Sequence, residues 1–292
     1  MRQVAIVTDS AASIPPSLSA QYEIDVIPLN LVIENHSYPD AVDGNTQQFY
    51  RSLKSARRPP HTAGVAPGAH LEALRRAGQR APAVLYISVS NRFSGTYDSA
   101  VQAAALLKQE RPDLEVEVLD SQAAAMAQGF IVLEAARAAA QGADLATVIS
   151  RAHHTMPHVG VLAVIDTLEY LARGGRVPKV QAWASALLSV KPVLEFRDQD
   201  VRLLTRTRTK RRAVAQLIPL LEQRGYKGKR LHLCVQHTNV LPEAQELALE
   251  AQRRLDPAEV LVSEFTLVMG AHIGPGLLAL AYYAEPQDDD DV

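Results

Sequence analysis

Cysteine and long apolar runs are scarce in this sequence, and each scarcity excludes a class of protein. The chain of 292 residues contains one cysteine, Cys234. A single thiol cannot form an internal disulfide, so a reducing cytoplasm is the expected location. There is no stretch of about 18 consecutive apolar residues, so we expect no membrane-spanning helix. The sequence opens directly on the apolar run 4–7, and we expect no signal peptide.

Motifs that mark several common enzyme classes are also missing. The sequence has no phosphate-binding G-x-x-x-x-G-K-[ST] loop, no G-x-G-x-x-G after a strand and no G-x-S-x-G. His153 and His154 are adjacent, which is the wrong spacing for a zinc pair. The net charge of −2 gives no general attraction to nucleic acid. We therefore expect no metal, no cofactor and no nucleic acid partner.

What is present is an alternation of short apolar runs with helical patterns. Apolar residues make up 47% and charged residues 21% of the chain, as in ordinary globular proteins. The first half predicts an α/β domain over 1–160, with a mostly parallel sheet and flanking helices. Hairpins mixed with helices predict a smaller α+β domain over 161–285. Residues 286–292 read as an acidic, solvated tail.

The predicted elements follow from the period of the apolar residues. Strands are expected over 4–7, 25–33, 84–89, 115–119, 159–165, 190–196, 201–205, 230–236, 260–267 and 277–283. Helices are expected over 47–56, 69–77, 96–109, 123–140, 145–155, 210–223 and 242–255. Small polar residues follow several strands, as in Thr8-Asp9-Ser10 and Asp120-Ser121. For Asp120-Ser121 we favour a simple cap or Asx-turn.

The most informative local feature is the tripeptide Ser94-Gly95-Thr96, which lies between a predicted strand and a predicted helix. A turn at a helix N-terminus directs backbone N–H groups and a hydroxyl towards one point, which favours an anion. An ordinary serine N-cap explains the same pattern, and on local sequence alone it is the favoured interpretation.

Three further features have both a functional and a structural interpretation. Thr62 lies in a loop rich in proline and glycine, which is either a binding loop or a plain connection. Arg173 and Arg176 flank a Gly-Gly pair that suits a helix C-cap, where arginines also interact with the helix dipole. His272 lies in the glycine- and proline-rich stretch 270–276, interpreted as a stiff loop that presents the imidazole, although a lone histidine is usually structural.

Taken together, these segments resemble the DegV family, the bacterial fatty-acid-binding proteins that include the FakB subunits of fatty acid kinase. The stretch Phe93-Ser94-Gly95-Thr96-Tyr97 matches the family's L-S-G-T-Y segment, and residues 166–176 match its D-x-L-x-x-L-x-x-G-G-R segment. The resemblance extends from Thr8-Asp9-Ser10 to the Gly274-Pro275-Gly276 stretch. The chain departs from the family at 62–66, which reads T-A-G-V-A where the family usually reads T-S-Q-P-S.

The resemblance implies a two-domain protein that holds one long-chain fatty acid, such as palmitate, between its domains. It implies that Thr62 and Ser94 bind the carboxylate, assisted by a backbone N–H near Gly95. It places His272 close to the same head group, with Arg173 or Arg176 completing a polar network. It also implies a lipid-binding subunit that is not itself catalytic. A separate ATP-dependent kinase subunit would phosphorylate the carboxylate, and lipid exchange would involve transient contact with a membrane surface.

Two competing hypotheses remain at this point. An acyl hydrolase or acyl transferase would use Ser94 as nucleophile and His272 as base, but the sequence identifies no acid to orient the histidine. A nucleic-acid-binding module would use the basic run over 202–212, which is equally interpreted as a solvated face or as a surface that docks the kinase. The lack of any DNA-binding motif makes the nucleic acid hypothesis weak.

Overall fold

The computed structural model describes residues 2–33, 36–40, 46–55, 61–184, 190–226 and 230–286 of the chain. The acidic run 288–291 and Ala56, the last residue of a predicted helix, lie outside these ranges. No helix in the described part of the chain combines the length and the apolar character needed to cross a bilayer.

Within the described residues, strands and helices alternate through most of the chain. The strands are β1 Val4–Asp9, β2 Asp25–Ile27, β3 Asn30–Ile33, β4 His36–Pro39, β5 His61–Ala63, β6 Ala83–Ser88, β7 Glu115–Asp120, β8 Val159–Val164, β9 Lys191–Arg197, β10 Asp200–Thr207, β11 Leu231–His237, β12 Glu259–Glu264 and β13 Leu278–Ala284. The helices are α1 Pro16–Gln21, α2 Thr46–Ser55, α3 Pro67–Ala77, α4 Thr96–Glu110, α5 Ala125–Ala140, α6 Leu145–Thr155, α7 Glu169–Gly174, α8 Pro178–Ala184, α9 Lys210–Val214, α10 Leu217–Gln223, α11 Leu241–Leu255 and α12 Leu267–Ile273.

The chain divides into two compact units, and the predicted α/β class is confirmed. The first unit contains residues 1–41 and 61–157, and the second contains 42–60 and 158–292. Residues 42–60 thus belong to the second unit and not to the predicted 1–160 domain, because α2 packs against α12 of the second unit. The Tyr50 ring of α2 occupies the space above Gly270, where a Cβ would lie 3.0 Å from Tyr50 Cζ.

The first unit is built on a parallel four-stranded sheet with the order β2-β1-β6-β7. Every residue of β1 and β6 is buried, as expected for central strands of a parallel sheet that helices cover. Helices α3 and α4 pack side by side, and α5 packs along β1 and beside α6. The carboxyl ends of β1 and β6 therefore meet at one edge of the sheet, which is where ligands gather in such folds.

A second, antiparallel sheet in the first unit has the order β4-β3-β5. Its register places Thr62 of β5 opposite Leu31 of β3. The sequence predicted a single strand over 25–33, but β2 and β3 belong to different sheets. Pro28 lies between them, and because proline has no N–H to donate, it interrupts a continuous ladder of strand hydrogen bonds.

The second unit is built on a mixed six-stranded sheet with the order β10-β9-β8-β13-β11-β12. Strands β11 and β12 are parallel, and the other pairs are antiparallel. Apolar side chains of α9, α10 and α11 pack on this sheet and form its core. Cys234 of β11 is a buried thiol, as predicted. The predicted helix over 210–223 is two helices, because Pro219 cannot donate to a carbonyl of the preceding turn and so must lie near a helix start.

Gly160 of β8 provides the site for a testable prediction about the second unit. It lies opposite Tyr282 of β13, and the Tyr282 hydroxyl donates to Glu195 of β9 at 3.3 Å. A Cβ at position 160 would lie 2.6 Å from Tyr282 Cζ. We expect Gly160→Ala to lower the free energy of unfolding by about 1–3 kcal/mol, since the ring must move away from Glu195. Chemical denaturation followed by circular dichroism measures this loss.

A matched control is Gly68→Ala, because in the described part of the chain no heavy atom beyond its chain neighbours and its own helix backbone lies within 4 Å of a Cβ at that position. We expect its stability to stay within about 0.5 kcal/mol of the natural chain. Equal stability of the two variants would contradict the close packing of Tyr282 on Gly160.

Candidate functional site

The first unit contains a buried carboxylate, Asp9, at the carboxyl end of β1. It accepts hydrogen bonds from the backbone N–H of Val89 at 2.8 Å and of Ala11 at 3.1 Å. It also accepts from the Gln128 amide and the Tyr86 hydroxyl, both at 3.3 Å. Burial raises the pKa of Asp9 from 3.8 to about 6, although these hydrogen bonds oppose the shift. Asp9 therefore joins β1 to the end of β6 and to α5.

The segment that follows β6 leads from this carboxylate to Ser94. Its first residue, Val89, is held by Asp9, and the Ser90 N–H donates to the Ala123 carbonyl at 2.8 Å. The N–H groups of Phe93 and Ser94 then donate back to the Ser90 carbonyl at 3.0 and 3.3 Å. These bonds fold the segment into a compact turn, which fixes where Ser94 lies relative to the sheet.

Ser94 is half-buried, and its hydroxyl lies at the start of α4. The Ser94 Oγ accepts from the Thr96 N–H at 3.3 Å and lies 2.7 Å from the Thr96 Oγ1. The helix begins at Thr96 with Gly95 in the capping position, so Ser94 is one residue earlier than the predicted N-cap. Its hydroxyl still satisfies an N–H of the first turn, and the positive end of the helix dipole lies beside it.

Thr62 lies in the same unit, on a segment that reaches Ser94. Beyond β5 the chain passes Gly64, where a Cβ would lie 4.0 Å from the Ser94 Oγ and 3.7 Å from the Thr96 Oγ1. The next residue, Val65, accepts a hydrogen bond from the Ser99 hydroxyl of α4 at 2.7 Å. The Thr62 segment is therefore attached to the first turn of α4, next to the two hydroxyls.

Other polar residues at the ends of the parallel strands have structural partners. The Ser10 hydroxyl donates to Asp40 at 2.6 Å and accepts from the Leu29 N–H at 3.0 Å. Asp120 accepts from the N–H of Gln122, two residues ahead, at 2.9 Å. This geometry confirms the predicted Asx-turn. Both carboxylates also accept hydrogen bonds from the segment that leads to Ser94: Asp9 from the Val89 N–H at 2.8 Å and Asp120 from the Asn91 N–H at 3.3 Å.

In the second unit, His272 lies in the last turn of α12. The predicted loop over 270–276 is therefore wrong in its first half, because a helix begins at Leu267 and ends at Ile273. The imidazole packs against Gly174, where a Cβ would lie 2.7 Å from the His272 Nδ1. Burial and the positive charge of Arg176 lower the pKa of His272 to about 4, so the ring is neutral at pH 7.

The two candidate arginines of the second unit have different surroundings. Arg173 pairs with Glu169 at 2.6 Å, one helical turn away. Arg176 donates to the Gly174 carbonyl at 2.7 Å, beside the residue on which the His272 ring packs. The predicted helix C-cap is confirmed, since α7 ends at Gly174 and Gly175 is left-handed with φ of 69°. Of the two arginines, Arg176 is therefore the one whose positive charge helps to lower the pKa of His272.

The basic run over 202–212 is not a uniform stripe of free charge. Arg202 lies 3.6 Å from Asp200, and Lys210 pairs with Glu243 at 2.6 Å. These local ion pairs neutralise part of the positive charge of the run, which disfavours the hypothesis that it binds nucleic acid.

Sequence reasoning missed two residues of the Ser94 neighbourhood. The motif indicates no separate role for Thr96, and no sequence pattern points to Gln128 of α5. Gln128 donates to Thr8 at 3.1 Å and to Asp9 at 3.3 Å. Gln128 lies more than a hundred positions from Thr8 and Asp9 in the sequence, so no local pattern could have identified it. Within the described ranges, no group of three His, Cys, Asp or Glu side chains could hold a metal ion.

Comparison with known proteins places these residues in a family context. The family model described as "Uncharacterised protein, DegV family" matches residues 3–285. A DegV domain-containing protein of Caldanaerobacter subterraneus is 31% identical over 275 residues, which cover 94% of this chain and 96% of the relative. Two solved structures match 97% of this chain.

The first is "Fatty Acid Binding of a DegV family Protein from Thermus thermophilus". It superposes with a TM-score of 0.88 at 28% identity, covering 97% of this chain and 100% of the other. The second is the crystal structure of DegV, a fatty acid binding protein from Bacillus subtilis. Its TM-score is 0.86 at 29% identity, with the same coverage.

The contrast between the two arginines gives a prediction for His272. We expect Arg176→Gln to raise the pKa of His272 from about 4, because the neighbouring guanidinium no longer disfavours the imidazolium. Arg173→Gln is the matched control and leaves that pKa unchanged, since Arg173 is paired with Glu169. NMR titration of the histidine ring measures both. An equal shift in the two variants, or none in either, contradicts this assignment.

Proposed function

The chain belongs to the DegV family, and on this premise we propose that it binds one long-chain fatty acid, such as palmitate. The carboxylate is bound by Thr62 and Ser94 with a backbone N–H near Gly95, and a separate ATP-dependent kinase subunit then phosphorylates it. Binding, rather than catalysis by this chain, is the proposed role.

The observation that supports this proposal most directly is the arrangement around Ser94. A half-buried hydroxyl, the first turn of a 15-residue helix and the Thr62 segment lie at one place. Hydroxyl and N–H donors at the positive end of a helix dipole favour an anion. A carboxylate is an acceptor-only group when ionised, so it suits a site made of donors.

The energy of an apolar tail is sufficient for tight binding. A saturated chain of about 15 methylenes gains roughly 12 kcal/mol on full burial, at about 0.8 kcal/mol for each CH₂. Loss of freedom on binding removes several of these kcal/mol, which leaves micromolar or tighter affinity. The head group then needs only enough hydrogen bonds to avoid burying an unpaired charge.

For the second unit we propose that His272 and Arg176 also serve recognition of the carboxylate. A neutral imidazole can donate one hydrogen bond without adding a charge that needs a counter-ion. The Arg176 guanidinium supplies a permanent positive charge nearby. Arg173 is left out of this proposal because it forms an ion pair with Glu169.

The proposal that a separate subunit carries out the phosphorylation agrees with the sequence of this chain, which contains no phosphate-binding G-x-x-x-x-G-K-[ST] loop. For lipid exchange we propose transient contact with a membrane surface. Both statements rest on the family resemblance.

The competing acyl hydrolase is disfavoured by the surroundings of His272. A general base must become an imidazolium during the reaction, and both burial and the adjacent Arg176 disfavour that charge on His272. Covalent labelling of Ser94 by a fluorophosphonate is the result that would revive this hypothesis.

The first test of the proposal is the ligand itself. We expect the full chain, purified from a bacterial strain and extracted under denaturing conditions, to release about one long-chain fatty acid per protein, because the buried tail makes dissociation slow. Mass spectrometry of the extract identifies and counts it. Release of no fatty acid, with reloading by palmitate also unsuccessful, contradicts the proposal.

The second test concerns the head group. We expect Ser94→Ala to weaken palmitate binding by on the order of tenfold, since a hydrogen bond to a charged group contributes about 1.5–3 kcal/mol. Isothermal titration of the delipidated protein measures the affinity, and thermal unfolding confirms an intact fold. Ser19→Ala is a control, because that hydroxyl donates to the nearby Pro16 carbonyl in a solvent-exposed hydrogen bond. Unchanged palmitate affinity in Ser94→Ala places the carboxylate elsewhere.

A further inference from the structure

The direction of the hydrogen bond between Ser94 and Thr96 follows from the different burial of the two hydroxyls. Their oxygens lie 2.7 Å apart. Thr96 is fully buried (0% exposed), whereas Ser94 is half-buried. Among the described residues, Ser94 is the one hydrogen-bond partner of the Thr96 hydroxyl. If Ser94 donated to Thr96, the proton of Thr96 would be buried without an acceptor, which carries a substantial penalty. Thr96 is therefore the donor.

With Thr96 as the donor, both lone pairs of the Ser94 hydroxyl oxygen accept hydrogen bonds. A hydroxyl oxygen has one proton to donate and two lone pairs that accept. One lone pair of the Ser94 Oγ accepts from the Thr96 hydroxyl, and the other accepts from the Thr96 N–H at 3.3 Å. Both interactions come from the same buried residue, so the Ser94 oxygen is held in place. What Ser94 can still offer is its own proton.

We propose that Thr96 is a positioning residue that makes Ser94 a donor-only hydroxyl and thereby selects an acceptor-only head group. This inference rests on the proposed fatty acid site and names the residue that sets its chemistry. An ionised carboxylate accepts the Ser94 proton without competition from any donor of its own. A fatty amine, whose ammonium group only donates, finds no acceptor at Ser94.

The Gly64 backbone lies next to this pair of hydroxyls. Gly64 has no side chain, and a Cβ there would lie 3.7 Å from the Thr96 Oγ1 and 4.0 Å from the Ser94 Oγ, which are ordinary van der Waals distances.

On this proposal, the same arrangement makes Ser94 a poor nucleophile. A serine attacks through a lone pair while a base removes its proton. Here both lone pairs are directed towards Thr96 donors. Binding an anion requires the Ser94 proton, whereas nucleophilic attack requires a free lone pair on the same oxygen. The hydrogen bonds from Thr96 leave the proton available and occupy the lone pairs.

The test compares Thr96→Val, which removes the hydroxyl and keeps the branched shape, with Thr96→Ser, which keeps the hydroxyl. Delipidated proteins are titrated with palmitate and with hexadecanol, a probe of equal tail length without a carboxylate. We expect Thr96→Val to lose palmitate affinity by on the order of tenfold, because the Ser94 proton is no longer directed. Hexadecanol affinity changes little, and Thr96→Ser binds palmitate like the natural chain.

A double-mutant cycle keeps the proposal testable even if Thr96→Val loses stability. If Thr96 acts through Ser94, adding Thr96→Val to Ser94→Ala causes no further loss of palmitate affinity. An additive loss, an equal loss of palmitate and hexadecanol, or natural palmitate affinity in Thr96→Val overturns the inference. These results differ from failure of the proposed function, in which the natural chain binds no palmitate or Ser94→Ala has no effect.

Discussion

The hydrogen bonds to the buried carboxylate of Asp9 are the constraint on which the first unit depends. Asp9 accepts from Val89, Ala11, Gln128 and Tyr86, so one side chain joins two parallel strands, a turn and a helix. Burying an ionisable group is unfavourable, and the raised pKa of about 6 expresses that cost. The bond to Val89 matters most for the proposed function, because the compact turn that contains Ser94 starts there. The proposed anion site is thus supported by a buried acid at the start of that turn.

In the second unit, the surroundings of His272 are set by close packing against a glycine. The His272 ring lies against Gly174, and the carbonyl of that same glycine accepts a hydrogen bond from Arg176. A side chain at position 174 would displace the imidazole, and the guanidinium would lose its fixed relation to the ring. This packing keeps His272 neutral at pH 7 beside a permanent cation. The glycine pair read from the sequence as a helix end therefore also forms the surface on which the histidine rests.

Much of the fold could be predicted because apolar periodicity reports burial directly. The continuous apolar runs of β1 and β6 and the alternation of strands with helices indicated a parallel sheet. The errors lie where local signals conflict with tertiary packing. Pro28 divides an apolar run into strands of two different sheets, and Pro219 divides a helical pattern. The short helix that carries His272 is not predicted, because its last four residues belong to the glycine-rich stretch 270–276, which is typical of a loop. Residues 42–60 join the second unit through Tyr50, a contact that no local pattern records.

The sequence by itself determined the class of protein, the two segments around Thr62 and Ser94, and the absence of common nucleotide and hydrolase motifs. The matched motifs also indicated the family, which the comparisons confirm. Tertiary structure decided which residues act together: Gln128 with Asp9, Arg176 rather than Arg173 with His272, and the burial that makes Thr96 the donor to Ser94. The physical reason is that hydrogen-bond direction and pKa depend on desolvation and on neighbours distant in sequence, and only folding brings these together.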